Sequence, residues 1–143
     1  MPDRGLSGYS YTRRDATFRV MATSLLLLAS AFALCAEAPR TTCVVDGDTF
    51  WLDGEKVRIA DINAPETHAA RCPSERALGE AATRRLIRLL NAGVFRLEAG
   101  TRDRDRYGRA LRTVMRGNRS LGAQLVAEGL AEPWQGRRSD WCA

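Results

Sequence analysis

The sequence has very little lysine and histidine, and it lacks any hydrophobic run long enough to cross a membrane comfortably. Lys56 is the only lysine among 22 lysine and arginine residues, and His68 is the only histidine. A lone histidine without cysteine or aspartate at zinc spacing is weak evidence for a metal site, so an exposed loop position is favoured for His68. Internal repeats, low-complexity runs and a glycine-rich phosphate loop are also absent, which excludes a repeat architecture and a phosphate cradle of that kind.

The basic charge of the chain is carried almost wholly by arginine. The 143 residues have a formal net charge of +5, and their length suits one domain rather than two. The planar guanidinium fork matches phosphate oxygens, which favours an anionic partner. A GC-rich genome explains part of the arginine excess equally well, but it does not explain arginines placed beside acids.

The N-terminal part of the chain predicts an export signal. A polar, arginine-containing segment precedes the uncharged stretch Met21–Leu34, and small residues follow it. This order is typical of a secretory signal peptide, and the apolar run is short for a membrane span. We therefore predict a leader over 1–38, a mature domain over 39–143 without a membrane span, and a secreted or periplasmic location.

The position of the cut and of the true start stays open on the sequence alone. Pro39 disfavours cleavage after Ala38, which leaves Ala33 and Ala36 as candidates. Met21 is an alternative start, and a core helix is the alternative interpretation of the apolar run.

The stretch Val44–Glu66 combines strand-like alternation with acidic residues. Asp53-Gly54 lies between two alternating runs and predicts a hairpin turn. A hairpin brings its ends together, so acidic side chains at both ends would meet beside an arginine. Such a group forms either a hard-cation site or a solvated rim of ion pairs. The residues concerned are Asp46, Asp48, Arg58, Asp61 and Glu66.

The remainder of the chain predicts two helices and further strands. Ser74 is a candidate cap for a helix ending near Leu90, and Ser120 is one for a helix over 121–128. Strands are expected over 94–98 and 109–115, separated by a charged loop over 101–106. The order β-β-β-α-β-β-α predicts a mainly β (α+β) domain, a five-stranded Greek-key barrel with two helices packed on it.

Three cysteines remain once the leader is removed. Cys72 lies in a predicted loop and Cys142 at the C-terminus, so a bridge between them would secure a tail with little packing of its own. Cys43 is then left over. The alternative is that all three are free thiols.

Several spaced motifs follow one another between about Val44 and Ala131. They are Val45-Asp46-Gly47-Asp48-Thr49, Val57-Arg58-Ile59, Asn63-Ala64-Pro65-Glu66, Asp105-Arg106-Tyr107-Gly108-Arg109, and a helix over 121–131. In this order they resemble the staphylococcal nuclease (thermonuclease) family of exported bacterial proteins. The resemblance implies an OB-fold barrel and a calcium-dependent, monomeric enzyme that hydrolyses phosphodiesters of DNA and RNA, preferably single-stranded, with low sequence specificity and 3′-phosphate products.

The resemblance also implies roles for individual residues. Arg58 and Arg109 match two arginines that clamp the scissile phosphate, and Tyr107 matches a tyrosine that contacts substrate phosphate. Glu66 matches the carboxylate assigned as general base on the attacking water. Asp48 matches a calcium-binding aspartate. These residue types suit the chemistry, because arginines and a divalent cation offset the charge that builds in the transition state.

Two features depart from the family pattern. Asn63 stands where the family has a second calcium-binding aspartate, next to Ala64, whose carbonyl matches a further ligand. One negative charge is lost, so a single, weaker calcium site is expected, with Asp46 or Asp61 as sources of compensating charge. The family's third helix has no room after the second, so the tail over 134–142 is expected to seal that side.

A binding protein without catalysis is the main alternative. A catalytically weak or inactive OB-fold module that binds single-stranded nucleic acid is favoured only by Asn63. The joint presence of Arg58, Glu66, Tyr107 and Arg109 favours an enzyme, because binding alone does not require a positioned base.

Overall fold

The fold begins with three antiparallel strands, β1 (Cys43–Asp46), β2 (Thr49–Leu52) and β3 (Glu55–Ile59). Their coordinates belong to a computed structural model that describes residues 31–143. Asp53 and Gly54 join β2 to β3 with φ values of 50° and 83°, which a type I′ hairpin turn requires. The hairpin turn therefore lies at the predicted position.

The later strands extend this meander into a mixed sheet. The elements after β3 are β4 (Ile62–Asn63), α1 (Pro73–Asn91), β5 (Arg96–Arg104), β6 (Ala110–Arg116), β7 (Arg119–Ser120), α2 (Leu121–Ala127) and β8 (Glu132–Pro133). β6 pairs in parallel with β3 and antiparallel with β5, which gives the order β1-β2-β3-β6-β5, with β7 on β6. β4 and β8 form a separate two-stranded sheet. This confirms the predicted class, mainly β with two helices.

The sheet stays open between β1 and β5, so the expected five-stranded Greek-key barrel is only partly closed. Within residues 31–143 no ladder joins these two strands. The segment 32–35 runs along the free edge of β1 instead, and the Cys35 N–H donates to the Val44 carbonyl at 2.9 Å. Phe32 is buried, with its ring centroid 5.9 Å from that of Phe50 and 6.0 Å from that of Phe95. The segment 32–35, which lies on the leader side of the predicted boundary after residue 38, therefore packs against the domain.

The first helix is capped by a residue other than the predicted one. Cys72, not Ser74, is the N-cap of α1: its backbone is extended, and its sulfur accepts a hydrogen bond from the Glu75 N–H at 3.4 Å. Pro73 explains the shift, because proline is favoured at the first helical position. Ser120 does cap α2, accepting from the Ala123 N–H at 2.7 Å.

The charged segment 101–106 is not a simple loop, and that prediction was wrong. β5 continues to Arg104, which pairs with Ala110 of β6 after a register shift. Charged residues are tolerated here because they face solvent and pair across the sheet. Arg104 reaches Glu55 at 2.6 Å, and Arg112 reaches Asp103 at 2.9 Å.

Two disulfides tie down the ends of the described chain. One joins Cys72 to Cys142, and the other joins Cys35 to Cys43. The sequence predicted no partner for Cys43, because Cys35 lies within the predicted leader. No cysteine in residues 31–143 is free. None of the helices in that range combines the length and apolarity needed to cross a bilayer.

Candidate active site

Asp46 and Asp48 meet at the turn between β1 and β2. The Asp48 N–H donates to Asp46 Oδ1 at 3.2 Å, and the Asp48 carboxylate accepts from the Thr49 hydroxyl at 3.0 Å and the Ala64 N–H at 2.9 Å. Gly47 permits this arrangement, because a Cβ there would lie 2.7 Å from that of Ala82 and 2.8 Å from that of Ala64. Asp48 therefore connects the turn to the end of β4.

The negative charge at this turn is not fully compensated by the protein. Burial, followed by the neighbouring Asp48 and more weakly by Glu66, raises the pKa of Asp46 to about 8. A carboxyl group that resists ionisation beside another carboxylate is one whose charge a bound cation would relieve.

Arg58 is held rigidly between the two acidic ends of the hairpin. Only 8% of the residue is exposed. Its guanidinium donates to the carbonyls of Ile59 and Ile62, the latter at 2.9 Å, and lies 3.4 Å from Asp48 Oδ2. The guanidinium carbon lies 5.6 Å from the ring of Trp134. One predicted clamp residue is thus fixed by backbone, carboxylate and aromatic partners together.

Glu66 is positioned through its backbone by α1. Its N–H donates to the buried carboxylate of Glu75 at 3.2 Å, and Gly79 lets the helix lie directly against its carbonyl. The Glu66 side chain is 24% exposed and lies 2.9 Å from Nη1 of Arg138. Burial raises its pKa, Arg138 opposes that rise, and the negative charge of Asp48 adds to it.

The turn that carries Tyr107 and Arg109 is organised by Asp105. Its carboxylate accepts from the N–H groups of Tyr107 at 2.9 Å and Arg109 at 3.0 Å, and from Arg109 Nε at 2.6 Å. Burial acts to raise the pKa of Asp105, but these hydrogen bonds outweigh it, so its pKa is lowered. Gly108 completes the turn with a φ of 80°. Tyr107 is 67% exposed, and the Arg109 guanidinium carbon lies 5.4 Å from its ring.

Most of the residues selected from the sequence line two cavities that share Arg138. The larger, about 610 Å³, contains Arg58, Tyr107 and Arg109. The smaller, about 310 Å³, contains Asn63, Ala64 and Glu66. The arrangement places two predicted phosphate-binding arginines on one side of Arg138 and the predicted base on the other.

The side-chain amide of Asn63 already hydrogen-bonds to another residue. It is almost fully buried, and its Nδ2 donates to Glu132 Oε1 at 3.2 Å. Asp61 lies just before β4, and one of its carboxylate oxygens accepts from the Ser120 hydroxyl at 2.7 Å at the start of α2.

The oxygen atoms around Asp48 fit a hard cation in their chemistry. Carboxylates of Asp46 and Asp48, the Ala64 carbonyl and the Asn63 amide oxygen are the ligand types that calcium accepts. Hydrogen bonds from the Asp48 N–H to Asp46 and from the Ala64 N–H to Asp48 hold these residues next to one another. Residues 31–143 contain no group of three or more histidine, cysteine or acidic side chains arranged for a metal, so neutral oxygens and water would complete the set.

Three residues of this site were missed in the sequence: Glu132, Trp134 and Arg138. They lie in and after β8, where the sequence has no periodicity to indicate which side chains face inward. The only signal available in the sequence was composition: Trp134 and the pair Arg137-Arg138 precede Cys142, which was predicted to be bridged.

The fold and cleft define a small α+β protein with an arginine-lined anion cleft beside a carboxylate pair. The chain belongs to the staphylococcal nuclease homologue family, whose pattern matches residues 56–140. This confirms the resemblance drawn from the motifs.

Individual relatives agree with this assignment. A thermonuclease of Staphylococcus intermedius is 35% identical over 92 residues, which cover 62% of this chain and 54% of the relative. An uncharacterized endonuclease of Haemophilus influenzae is 30% identical over 122 residues, 79% of this chain and 63% of the relative. A thermonuclease of Staphylococcus hyicus is 35% identical over 92 residues, 62% and 54%. The chain thus spans between 54% and 63% of the length of these relatives.

Proposed function

We propose that this protein is a nuclease that hydrolyses phosphodiester bonds of DNA and RNA with calcium and with low sequence specificity. The proposed products carry a 3′-phosphate and a free 5′-hydroxyl. The observation that carries the proposal is that two cavities share Arg138, one lined by Arg58 and Arg109 and the other by Glu66, with which Arg138 forms an ion pair. Family membership and relatives named as nucleases support it.

The chemistry assigned to the side chains follows from their charges. Arg58 and Arg109 bind the non-bridging oxygens of the scissile phosphate and stabilise the charge that builds on them. Both stay protonated at any working pH. Glu66 accepts a proton from the attacking water as its oxygen bonds to phosphorus. The bond from phosphorus to the 5′ oxygen breaks, and that oxygen takes a proton from solvent water to become the 5′-hydroxyl. A pKa raised by burial makes Glu66 a stronger base than an exposed glutamate.

The calcium ion is assigned to oxygen atoms of the turn between β1 and β2 and of the residues that end and follow β4. Asp48, the Ala64 carbonyl and the Asn63 amide oxygen would hold it, with Asp46 close by. When bound, it supplies positive charge that offsets the charge of the phosphate. Because Asn63 is neutral, the site is proposed to be single and weak.

The test of this function is release of acid-soluble nucleotides from heat-denatured DNA. The oxidised protein is assayed with calcium, with magnesium and with chelator, beside the variant Glu66→Gln. Calcium-dependent release that is lost in the variant supports the nuclease. No release over a wide calcium range, from a folded protein that still binds DNA, would favour the alternative binding module to which Asn63 points.

Single strands are the proposed substrate, and a monomer is the proposed state. Tyr107 and Trp134 are exposed at 67% and 44%, and both line the larger cavity. Exposed aromatic rings beside arginines can stack on unpaired bases. Faster cleavage of denatured than of duplex DNA is expected, and equal rates would contradict the preference.

We further propose that the protein is exported and that the mature chain begins at Phe32. Cleavage after Ala33 or Ala36 would remove the buried Phe32, and the second cut would also remove Cys35 from its disulfide. Ala29-Ser30-Ala31 provides small residues immediately before Phe32. The intact mass of the exported protein should correspond to Phe32–Ala143 with two disulfides, and a start at Leu34 or Glu37 would contradict this.

A further inference from the structure

Arg138 lies in the cleft although it belongs to the tail, outside the motifs that indicated the family. Its Nη1 is 2.9 Å from Glu66 Oε1, and its side chain is 60% exposed. An ion pair this exposed contributes little to folding stability. Arg138 also lines both cavities, the one that contains Glu66 and the one that contains Arg58 and Arg109.

The tail that carries Arg138 is anchored on both sides of it. After Arg138, the Ser139 N–H donates to Glu132 Oε1 at 3.1 Å, and the Ser139 hydroxyl also donates to Glu132. Asp140 lies 3.5 Å from Arg71, and Cys142 is bonded to Cys72. Before it, β8 pairs with β4. The position of Arg138 is therefore set by a strand pairing on one side and a disulfide on the other.

We propose that Arg138 is a third phosphate-binding arginine of the cleft, and that the Cys72–Cys142 disulfide holds it there. The proposal rests on the proposed function, since its ligand is a phosphate of the nucleic-acid strand next to the scissile one. Without substrate the guanidinium pairs with Glu66. A phosphate of the nucleic-acid strand offers the Arg138 guanidinium two oxygens and a full negative charge. When substrate binds, Arg138 therefore pairs with this phosphate instead of Glu66, and the Glu66 carboxylate is free to contact water.

The exposure of the two arginines explains why Arg138 can make this exchange and Arg58 cannot. The Arg58 side chain is 9% exposed and is bonded to carbonyls and to Asp48. The Arg138 side chain is open to solvent, and its ion pair with Glu66 can be replaced without disturbing the core.

The test measures binding without cleavage. A fluorescein-labelled single-stranded DNA 12-mer is titrated in chelator over a series of salt concentrations, with the parent, Arg138→Gln and Arg137→Gln. Each phosphate contact on a single strand contributes about 0.7 to the slope of log K against log salt. Arg138→Gln should bind more weakly and reduce the slope by about 0.7, whereas Arg137→Gln removes the same charge outside both cavities and should keep the parent slope.

The outcomes of this titration are decisive in either direction. Equal slopes for Arg138→Gln and the parent, or equal losses in both variants, would overturn the assignment of Arg138. Arg138→Lys should recover part of the slope, because lysine keeps the charge but not the fork. Thermal melts should coincide for all of these proteins, since both arginines are exposed. Chelator separates this result from the nuclease assay, because loss of cleavage does not change it.

The disulfide is tested with Cys72→Ser/Cys142→Ser. Serine at position 72 keeps a side chain able to cap α1, so the helix is preserved while the tail is released. This variant should reduce the salt slope by about 0.7, like Arg138→Gln, and adding Arg138→Gln to it should reduce the slope no further. Cys35→Ser/Cys43→Ser is the matched control and should bind like the parent. Parent-like binding by the first pair would overturn the role of the disulfide.

Discussion

The hairpin and the tail deliver positive charge to the same cleft by different means. Arg58, on β3, is buried and bonded to backbone carbonyls and Asp48, whereas Arg138, in the tail, is exposed and has a carboxylate partner that a substrate can replace. The hairpin side is organised by the core, and the tail is organised by a disulfide. A fixed charge suits a scissile phosphate that must be held in one geometry, and an exchangeable charge suits a neighbouring one.

The largest expected effect on the free energy of unfolding comes from removing the disulfide that anchors the tail. Cys72 and Cys142 are 70 residues apart, and Cys35 and Cys43 are 8 apart. Chain entropy predicts that losing the long bridge lowers the free energy of unfolding by about 4 kcal/mol and losing the short one by about 2.5 kcal/mol. Urea melts of the two serine pairs measure this difference. A larger loss from the short bridge would show that 32–35 stabilises the fold more than the tail does.

The next largest effect is expected from removing the buried arginine of the hairpin. Arg58→Met leaves Asp48 buried without its ion-pair partner, so the free energy of unfolding should fall by about 3 kcal/mol. Arg138→Met should change it by less than about 0.5 kcal/mol, because it removes an exposed pair. Both variants are melted in urea in the presence of chelator. Equal losses of unfolding free energy in the two variants would contradict the distinction between a buried structural Arg58 and an exposed Arg138.

The acidic turn gives a prediction on pH. The pKa of Asp46 in the folded protein, about 8, lies above its unfolded value, so this group stabilises the fold at low pH and ceases to do so as pH rises through 8. Metal-free protein should therefore melt a few degrees higher at pH 5 than at pH 8.5, and Asp46→Asn should reduce that difference. Calcium should restore stability at pH 8.5. A pH dependence unchanged by Asp46→Asn would contradict this.

The smallest expected effect concerns Asn63. Asn63→Asp restores a charged ligand and should tighten calcium binding roughly tenfold, about 1.4 kcal/mol, in a calorimetric titration. The new carboxylate would lie close to Glu132, which now accepts from the Asn63 amide, so the metal-free variant should be less stable than the parent. Glu132→Gln in the same chain should remove that penalty. Calcium binding no tighter than the parent's would refute the charge argument.

The sequence predicted the hairpin half of the molecule better than the tail. Alternation, the Asp53-Gly54 turn and closely spaced motifs are local signals, and they are enough to predict that Asp48, Arg58 and Glu66 lie near one another. Arg138 carries no such signal, because its position depends both on the pairing of β4 with β8 and on the Cys72–Cys142 bond, and the sequence predicted only the bond. These contacts join residues about 70 positions apart, and side-chain period does not encode them.

The N-terminal segment shows the opposite difficulty. Phe32 and Cys35 belong to a sequence with the composition of a leader, and that composition favoured their removal. The structure instead uses Phe32 to fill the core between Phe50 and Phe95 and Cys35 to secure β1. Composition predicted an export signal but could not predict which residues pack with the domain, because that depends on contacts with strands that come later in the chain.

The most direct test of the account is the cleavage rate of a labelled single-stranded DNA under saturating calcium, compared between the parent and Glu66→Gln. A positioned general base contributes ~10²–10⁴-fold, so the variant should cleave more slowly by that factor while binding the same strand in chelator at least as tightly as the parent. Cleavage at an unchanged rate would contradict the assignment of Glu66 as the base, and with it the mechanism built around the cleft.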